Sequence, residues 1–323
     1  MIAFAVRRLG SAVAVMLALS VLVFLIFFAT PGIDPARQMA GKNPTPETIR
    51  AIEAEFGLDR SLPVQYTMMM NRLVVSRDLE SYSNRGVRIL PQLVRVLPVT
   101  LSLVAGAALL WVLASVLMGV AAATLRGRIW DPLLMVIALV AMSMPVFWLG
   151  QVANLFTQDR WHGTFLFSWV PPLGYTPLTE DPVLWFQHLV IPWVTLAILY
   201  IGLYSRVLRS ALIETESQDF VRTARAKGIS ERRVLVRHTL RNSMISFVSL
   251  FGLDLGALVA GGALLTEVVF GLPGIGRLTY RALANLDLPV IMATVLYGAF
   301  FVVLMNALVD ILYARLDPRI REA

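Results

Sequence analysis

Several stretches of this chain carry no charged side chain over lengths that a surface helix does not sustain. They run from Leu9 to Ile33, between Arg95 and Arg126, between Asp131 and Asp159, and between Asp181 and Arg206. A helix needs about 20 apolar residues to cross the hydrocarbon core of a bilayer, and each stretch meets that length. In lipid every backbone polar group must be satisfied within the protein, which continuous apolar runs of this kind achieve as helices. Composition agrees: 57% of the 323 residues are hydrophobic and 15% charged, where a soluble domain carries about a quarter charged. Mean hydropathy is +0.71. The expected fold class is an all-α integral membrane protein with about six transmembrane helices.

The spans follow from local stop and start signals. Arg7 and Arg8 precede a first span over Leu9–Thr30, ended by Pro31-Gly32. Its apolar core is too long for the 7–15-residue core of a cleaved signal peptide. A long polar segment, 31–97, reads as mixed helix and loop, with a short helix at Glu47–Phe56 closed by Gly57. Pro98 is expected to open a second span, to Leu125. Asp131-Pro132 and Asp181-Pro182 each place an N-cap residue before proline at the first helical position, which starts spans at about Pro132–Phe156 and Val183–Tyr204. Pro145 and Pro192 fall inside these two and are expected to kink them. The fifth span is expected at about Ser243–Leu265 and the sixth at about Pro289–Tyr313, so 98–313 forms a five-helix core and 314–323 a tail.

The net charge is +7 and the pI about 10.1. In a soluble protein that balance would suggest nucleic acid, but here the basic residues sit between spans, where cytoplasmic retention explains them. Nucleic acid is not an expected partner. With the N-terminus inside, residues 1–8, 126–131, 205–242 and 314–323 hold sixteen of the 28 Lys and Arg. Both termini are therefore expected in the cytoplasm, with segment 31–97 and the Trp161–Trp185 loop outside. There is no cysteine, which excludes disulfides and thiolate chemistry. His162, His188 and His238 are too dispersed for a metal site. No phosphate loop, GxSxG or HExxH pattern occurs, and neither a catalytic residue nor a cofactor or metal site is expected in this chain.

Two regions stand out. In loop 205–242, Asp219 is placed to cap a helix with Phe220, Val221 and Ala224 on one face, and Gly228 to end it in the left-handed conformation. Ser230 then caps a second helix, Glu231–Arg241, running into the fifth span. The apex, Arg222-Thr223-Ala224-Arg225-Ala226-Lys227-Gly228, is small and basic, which suits close approach of another protein. A solvated loop would carry the same charge by the positive-inside bias, but that bias does not account for two capped helices around a glycine. The second region is the fifth span. Gly252, Gly256 and Ala260 form a small-residue ridge for helix packing. Asp254 stands about 200° around the helix from Gly252. A carboxylate within a span marks a functional site by default; translocation path and structural pairing are both compatible with it.

The apex resembles the coupling loop of ABC importer permeases, whose signature is Glu-Ala-Ala, three residues, then Gly. The form Arg-Thr-Ala-Arg-Ala-Lys-Gly is similar to that of peptide-type permeases. Arg7-Arg8-Leu9, Pro31-Gly-Ile-Asp-Pro35, Phe56-Gly-Leu-Asp-Arg-Ser-Leu-Pro-Val-Gln-Tyr66, Phe270-Gly-Leu-Pro-Gly-Ile-Gly276 and Leu316-Asp-Pro-Arg-Ile-Arg321 also resemble the first (DppB/OppB-like) permease of dipeptide, oligopeptide and nickel importers. Ser246 stands where that family often has proline. The resemblance implies a type I (MetI-like) importer permease in the cytoplasmic or inner membrane. It implies a homologous second permease, two ATPase subunits or one two-domain ATPase holding ATP and magnesium, and an extracytoplasmic solute-binding protein. Peptides are the implied cargo. The alternative is a secondary transporter or channel acting alone; a secondary transporter would usually show inverted repeats and several midplane charges, and one such charge and no repeat are visible. A membrane scaffold without a path is the third reading.

Overall fold

The carboxylate of Asp181 accepts hydrogen bonds from the backbone N–H groups of Val183 and Leu184 at 2.9 and 3.0 Å. It thereby caps the helix that organises one half of the protein. The computed structural model describes residues 2–28, 36–37, 40, 45–84 and 86–316. The helix stop at Pro31-Gly32, the Asn43-Pro44 approach to the short helix, and residues 317–321 of the terminal motif lie outside them. The helices are α1 Ile2–Phe28, α2 Pro46–Phe56, α3 Leu62–Met70, α4 Ile89–Thr124, α5 Trp130–Ser143 and α6 Val146–Asn154. There follow α7 Pro182–Glu216, α8 Asp219–Ala226, α9 Glu231–Gly262, α10 Leu264–Val269, α11 Ile275–Ala284 and α12 Leu288–Leu316. Among the described residues no strand forms, and one isolated antiparallel bridge joins Glu80 to Arg88.

Four helical stretches are long and apolar enough to cross a bilayer: Ile89–Thr124, Pro182–Glu216, Glu231–Gly262 and Leu288–Leu308. The expected third span is instead a broken one. Pro145, in extended conformation, caps α6, and α5 and α6 meet at 90°. A proline in a helix removes one hydrogen bond and clashes with the preceding turn; here the chain leaves the helix altogether. At Pro192, by contrast, α7 is unbroken. Helix α1, expected as the first span, carries a shorter apolar stretch among its described residues, Val13–Ile26.

Three sequence expectations are corrected. Pro98 does not open α4, which begins nine residues earlier at Ile89. Ile89 and Leu93 are buried, so packing of the first two turns offsets the cost of an interior proline. Asp131 is not a cap: α5 starts at Trp130, and the carboxylate is taken by Arg209. The fifth span is bounded by Gly261, whose φ of 129° interrupts the helix before Leu265.

The chain forms two compact units. One comprises Met1–Thr100, Val259–Leu264 and Pro273–Val303; the other Leu101–Leu258, Leu265–Leu272 and Leu304–Ala323. In the first, Phe24 of α1, Met69, Leu79, Tyr82, Ile89, Leu93, Ile275 and residues 290–293 of α12 share one core. Tyr66 packs edge-on against Phe24 at 5.4 Å and its hydroxyl meets Ser20 at 2.7 Å, joining α3 to α1. The Ile275 N–H donates to Thr100 at 2.8 Å. Gly276 lies so close to α10 that a Cβ there would stand 2.5 Å from Leu264 Cα, a direct reason for glycine in that motif.

The second unit is built around α7, with Leu189, Trp193, Leu196, Tyr204, Leu208 and Leu212 buried along it. Glycines let neighbours approach. A Cβ on Gly202 would stand 2.5 Å from the Ala138 carbonyl of α5, and one on Gly119 of α4 would stand 3.0 Å from the Ser205 carbonyl. Small residues at such contacts are the usual means by which apolar helices associate without a hydrophobic driving force.

Candidate coupling loop and intramembrane carboxylate

Helix α7 continues to Glu216, so residues 205–216 of the anticipated loop are its last three turns. After a bend at Ser217 and Gln218, α8 covers Asp219–Ala226. Gln218 occupies the cap position and Asp219 the first helical one, so the helix starts one residue earlier than expected, and Asp219 pairs instead with Arg222 at 3.7 Å. Gly228 has φ +75°. Its N–H donates to the Arg225 carbonyl at 2.9 Å and the Ile229 N–H to the Ala224 carbonyl at 3.3 Å. These two bonds, with Ile229 packed beside Ala224 and Val234, form a Schellman ending.

Ser230 stands at the cap position of α9, without a side-chain bond. Val221, Ala224 and Val234 make a small buried cluster that holds α8 against the first turns of α9. Ala224 therefore faces into the loop. Phe220, expected beside it, is 41% exposed, because positions 220 and 224 straddle the edge of a one-sided helix. The exposed side carries Phe220, Arg222, Thr223, Arg225 and Lys227. Arg225 forks onto Glu231 at 3.0 and 3.2 Å, and that bond holds its guanidinium above the ordinary arginine value. Ser243 lies 3.0 Å from Thr215 Oγ1, tying the start of the apolar part of α9 to the end of α7.

Asp254 lies in α9 with its side chain partly buried. The hydroxyl of Tyr204, on α7, donates to its Oδ2 at 2.6 Å. Tyr204 is fully buried, edge-on to Phe247 at 4.9 Å and 6.0 Å from Trp111 of α4. Trp111 in turn stacks on Tyr200 at 4.6 Å. On the ridge, Gly252 and Gly256 are buried, and a Cβ on Gly298 of α12 would stand 2.9 Å from the Ala260 carbonyl.

The family model described as "Binding-protein-dependent transport system inner membrane component" matches residues 115–322, and "Binding-prot-dependent transport system membrane comp, N-term" matches residues 1–104. The chain belongs to this family. As a member it is a multi-pass inner-membrane permease. It is similar to the putative peptide transport system permease protein of Brucella abortus (strain 2308), 37% identical over 321 residues and 99% of each chain. It is also similar to the dipeptide transport system permease protein DppB of Escherichia coli (strain K12), 33% identical over 339 residues and 99% of each chain. Its fold is similar to that of a chain of the MetNI methionine ABC transporter in inward-facing conformations. That match has a TM-score of 0.53 and 18% identity, covering 71% of this chain and 97% of the other.

Within the permease, the anticipated residues fall into two places. Asp219, Arg222, Thr223, Ala224, Arg225, Lys227 and Gly228 share the α8 turn; Asp254 and the glycines share α9. Tyr204, Trp111 and Asp287 were not singled out from sequence. Tyr204 and Trp111 read as apolar span residues, and Asp287, just before Leu288, reads as one more loop carboxylate.

Proposed function

We propose that this permease is the membrane subunit of an ATP-driven, binding-protein-dependent importer of di- or oligopeptides, and that it lines the translocation path with a second, homologous permease. Full-length relatives named as peptide and dipeptide permeases carry this reading. Both termini and the α8 turn lie in the cytoplasm, and segment 31–97 outside. Two ATPase subunits, or one two-domain ATPase, hold ATP and magnesium; the permease itself binds no cofactor. An extracytoplasmic solute-binding protein delivers the peptide.

The α8 turn suits ATPase docking. Its buried edge fixes it to α9, which runs on without a break into an apolar span, so a push on the turn is passed along a rigid element. Its outer edge offers an exposed phenylalanine among basic residues. Asp254 is the candidate path residue. The test is purification from the native membrane, identification of the co-purifying subunits, and reconstitution in proteoliposomes with the binding protein. Peptide uptake that requires ATP and the binding protein supports the reading. Uptake driven by an ion gradient without ATPase subunits refutes it.

A further inference from the structure

Asp254 is a carboxylate within a span that holds a single hydrogen bond. Tyr204 occupies Oδ2, and among the described residues no hydrogen bond reaches Oδ1 and no basic side chain pairs with it. A carboxylate offers about four acceptor positions, and in a span such a group persists only with compensation. Its side chain is partly accessible, so the remaining positions are open to something that enters. Tyr204 cannot turn away to serve another partner, since its ring is buried between Phe247 and Trp111.

A second polar group of the same cluster is also unsatisfied. Trp111 is fully buried, held by stacking on Tyr200 and edge contact with Phe251 at 5.5 Å, yet its indole N–H has no acceptor. Buried donors are nearly always paired. The cluster thus combines an open anionic acceptor, an unpaired donor and aromatic faces, contributed by α4, α7 and α9. A metal ion would find too few oxygens, since calcium takes six to eight. A primary ammonium fits the open carboxylate.

We propose that Asp254 and Tyr204, backed by the buried Trp111, form a subsite in the membrane for the α-ammonium of the transported peptide. The proposal rests on the peptide reading above. Asp254 contacts the substrate; Tyr204 positions the carboxylate.

The test uses the reconstituted complex with its binding protein and a tripeptide, trialanine, with its N-acetylated form. The affinity of the binding protein for each peptide is measured separately and both are supplied at saturation. Wild-type complex should import the free tripeptide at least about tenfold faster than the acetylated one. Asp254→Asn should remove that preference by lowering the maximal rate for the free peptide to that of the acetylated one, while the binding protein still stimulates the ATPase; Asp254→Glu should restore part of it. Tyr204→Phe should narrow the preference, and Trp111→Phe should slow both peptides. If Asp254→Asn fails to assemble, the Tyr204→Phe complex decides. An unaltered preference in the assembled Asp254→Asn or Tyr204→Phe complex overturns the subsite while leaving peptide import standing. A wild-type complex whose ATPase responds to the binding protein but which imports neither peptide overturns both readings.

Discussion

Arg209 reaches 78 positions along the sequence to hold both oxygens of Asp131, Nε on Oδ1 at 2.6 Å and Nη2 on Oδ2 at 2.7 Å. Asp131 lies in the first turn of α5 and Arg209 about two turns from the end of α7. The two helices are therefore clamped at the end of α7 that leads into the α8 turn, and pressed together again at Gly202 and Ala138.

Removing one partner of a buried pair leaves the other uncompensated, whereas replacing both with apolar groups can be nearly neutral. Asp131→Asn and Arg209→Met should each lower the stability of the purified permease by roughly 2–3 kcal/mol, below the fully buried range because Arg209 keeps some solvent contact. The double variant should lose clearly less than the two losses combined. Thermal unfolding of all four forms measures this, and strict additivity would show that the clamp contributes nothing.

How much of this was legible in sequence depends on the range of the interaction. Asp181, Gly57 and Gly228 act within three to five residues, and each does what its position implied: a cap bond, and φ of 68° and 75°. Asp131 carried the same Asp-Pro signal as Asp181, but a distant arginine outcompetes local backbone N–H groups for its carboxylate. The Pro98 error has the same origin: tertiary burial of Ile89 and Leu93 overrides a local rule. Asp254 was visible because a charge in an apolar run has few innocent explanations, while its partner Tyr204 was not, since a tyrosine in a span gives no such signal. Helix α8 starts one residue before the point its Asp219 signal implies, and its buried edge takes Val221 and Ala224 but leaves Phe220 outside.

Asp287 makes a second prediction. Its buried carboxylate accepts the Tyr82 N–H at 3.0 Å, the Ser83 N–H at 3.3 Å and the Ser81 hydroxyl. It pins residues 81–83 to the turn before α12. Leu286, just ahead of it, has φ +52°, a conformation that a leucine keeps only under constraint. Asp287→Ala should free two backbone donors at about 1–3 kcal/mol each, exposing residues 78–88 to limited proteolysis while helices α4 and α7 stay protected. Wild-type protease resistance in this variant would show that other contacts hold the segment.

The expected orientation can be tested cleanly because the chain has no cysteine. Single cysteines at Arg60 and Phe165, both exposed, should react with an impermeant reagent from outside intact cells. Cysteines at Arg128 and Arg225 should react only after permeabilisation. External labelling at Arg225 would contradict the docking role of α8.

The α8 turn separates stability from coupling at single residues. Phe220 is exposed and makes little of the loop's own packing, so Phe220→Ala should leave the melting temperature unchanged while weakening co-purification of the ATPase. Ala224 is buried against Val234, and Ala224→Trp should overpack that contact by about 1–3 kcal/mol, detaching α8 from α9. At Gly228 a Cβ would meet no neighbouring atom, so the whole cost of Gly228→Val lies in the left-handed backbone, about 1–2 kcal/mol. The permease should then reach the membrane but lose the Schellman ending and, with it, the fixed angle between the two helices. A lever that has lost its angle still binds at its tip but no longer transmits. Phe220→Ala should therefore reduce docking with normal transport per ATP in the complexes that form, and Gly228→Val should do the reverse. Co-purification and the ratio of peptide imported to ATP hydrolysed distinguish them. Equal effects of both substitutions on both readouts would mean that the turn acts as a single contact patch rather than as a contact joined to a lever.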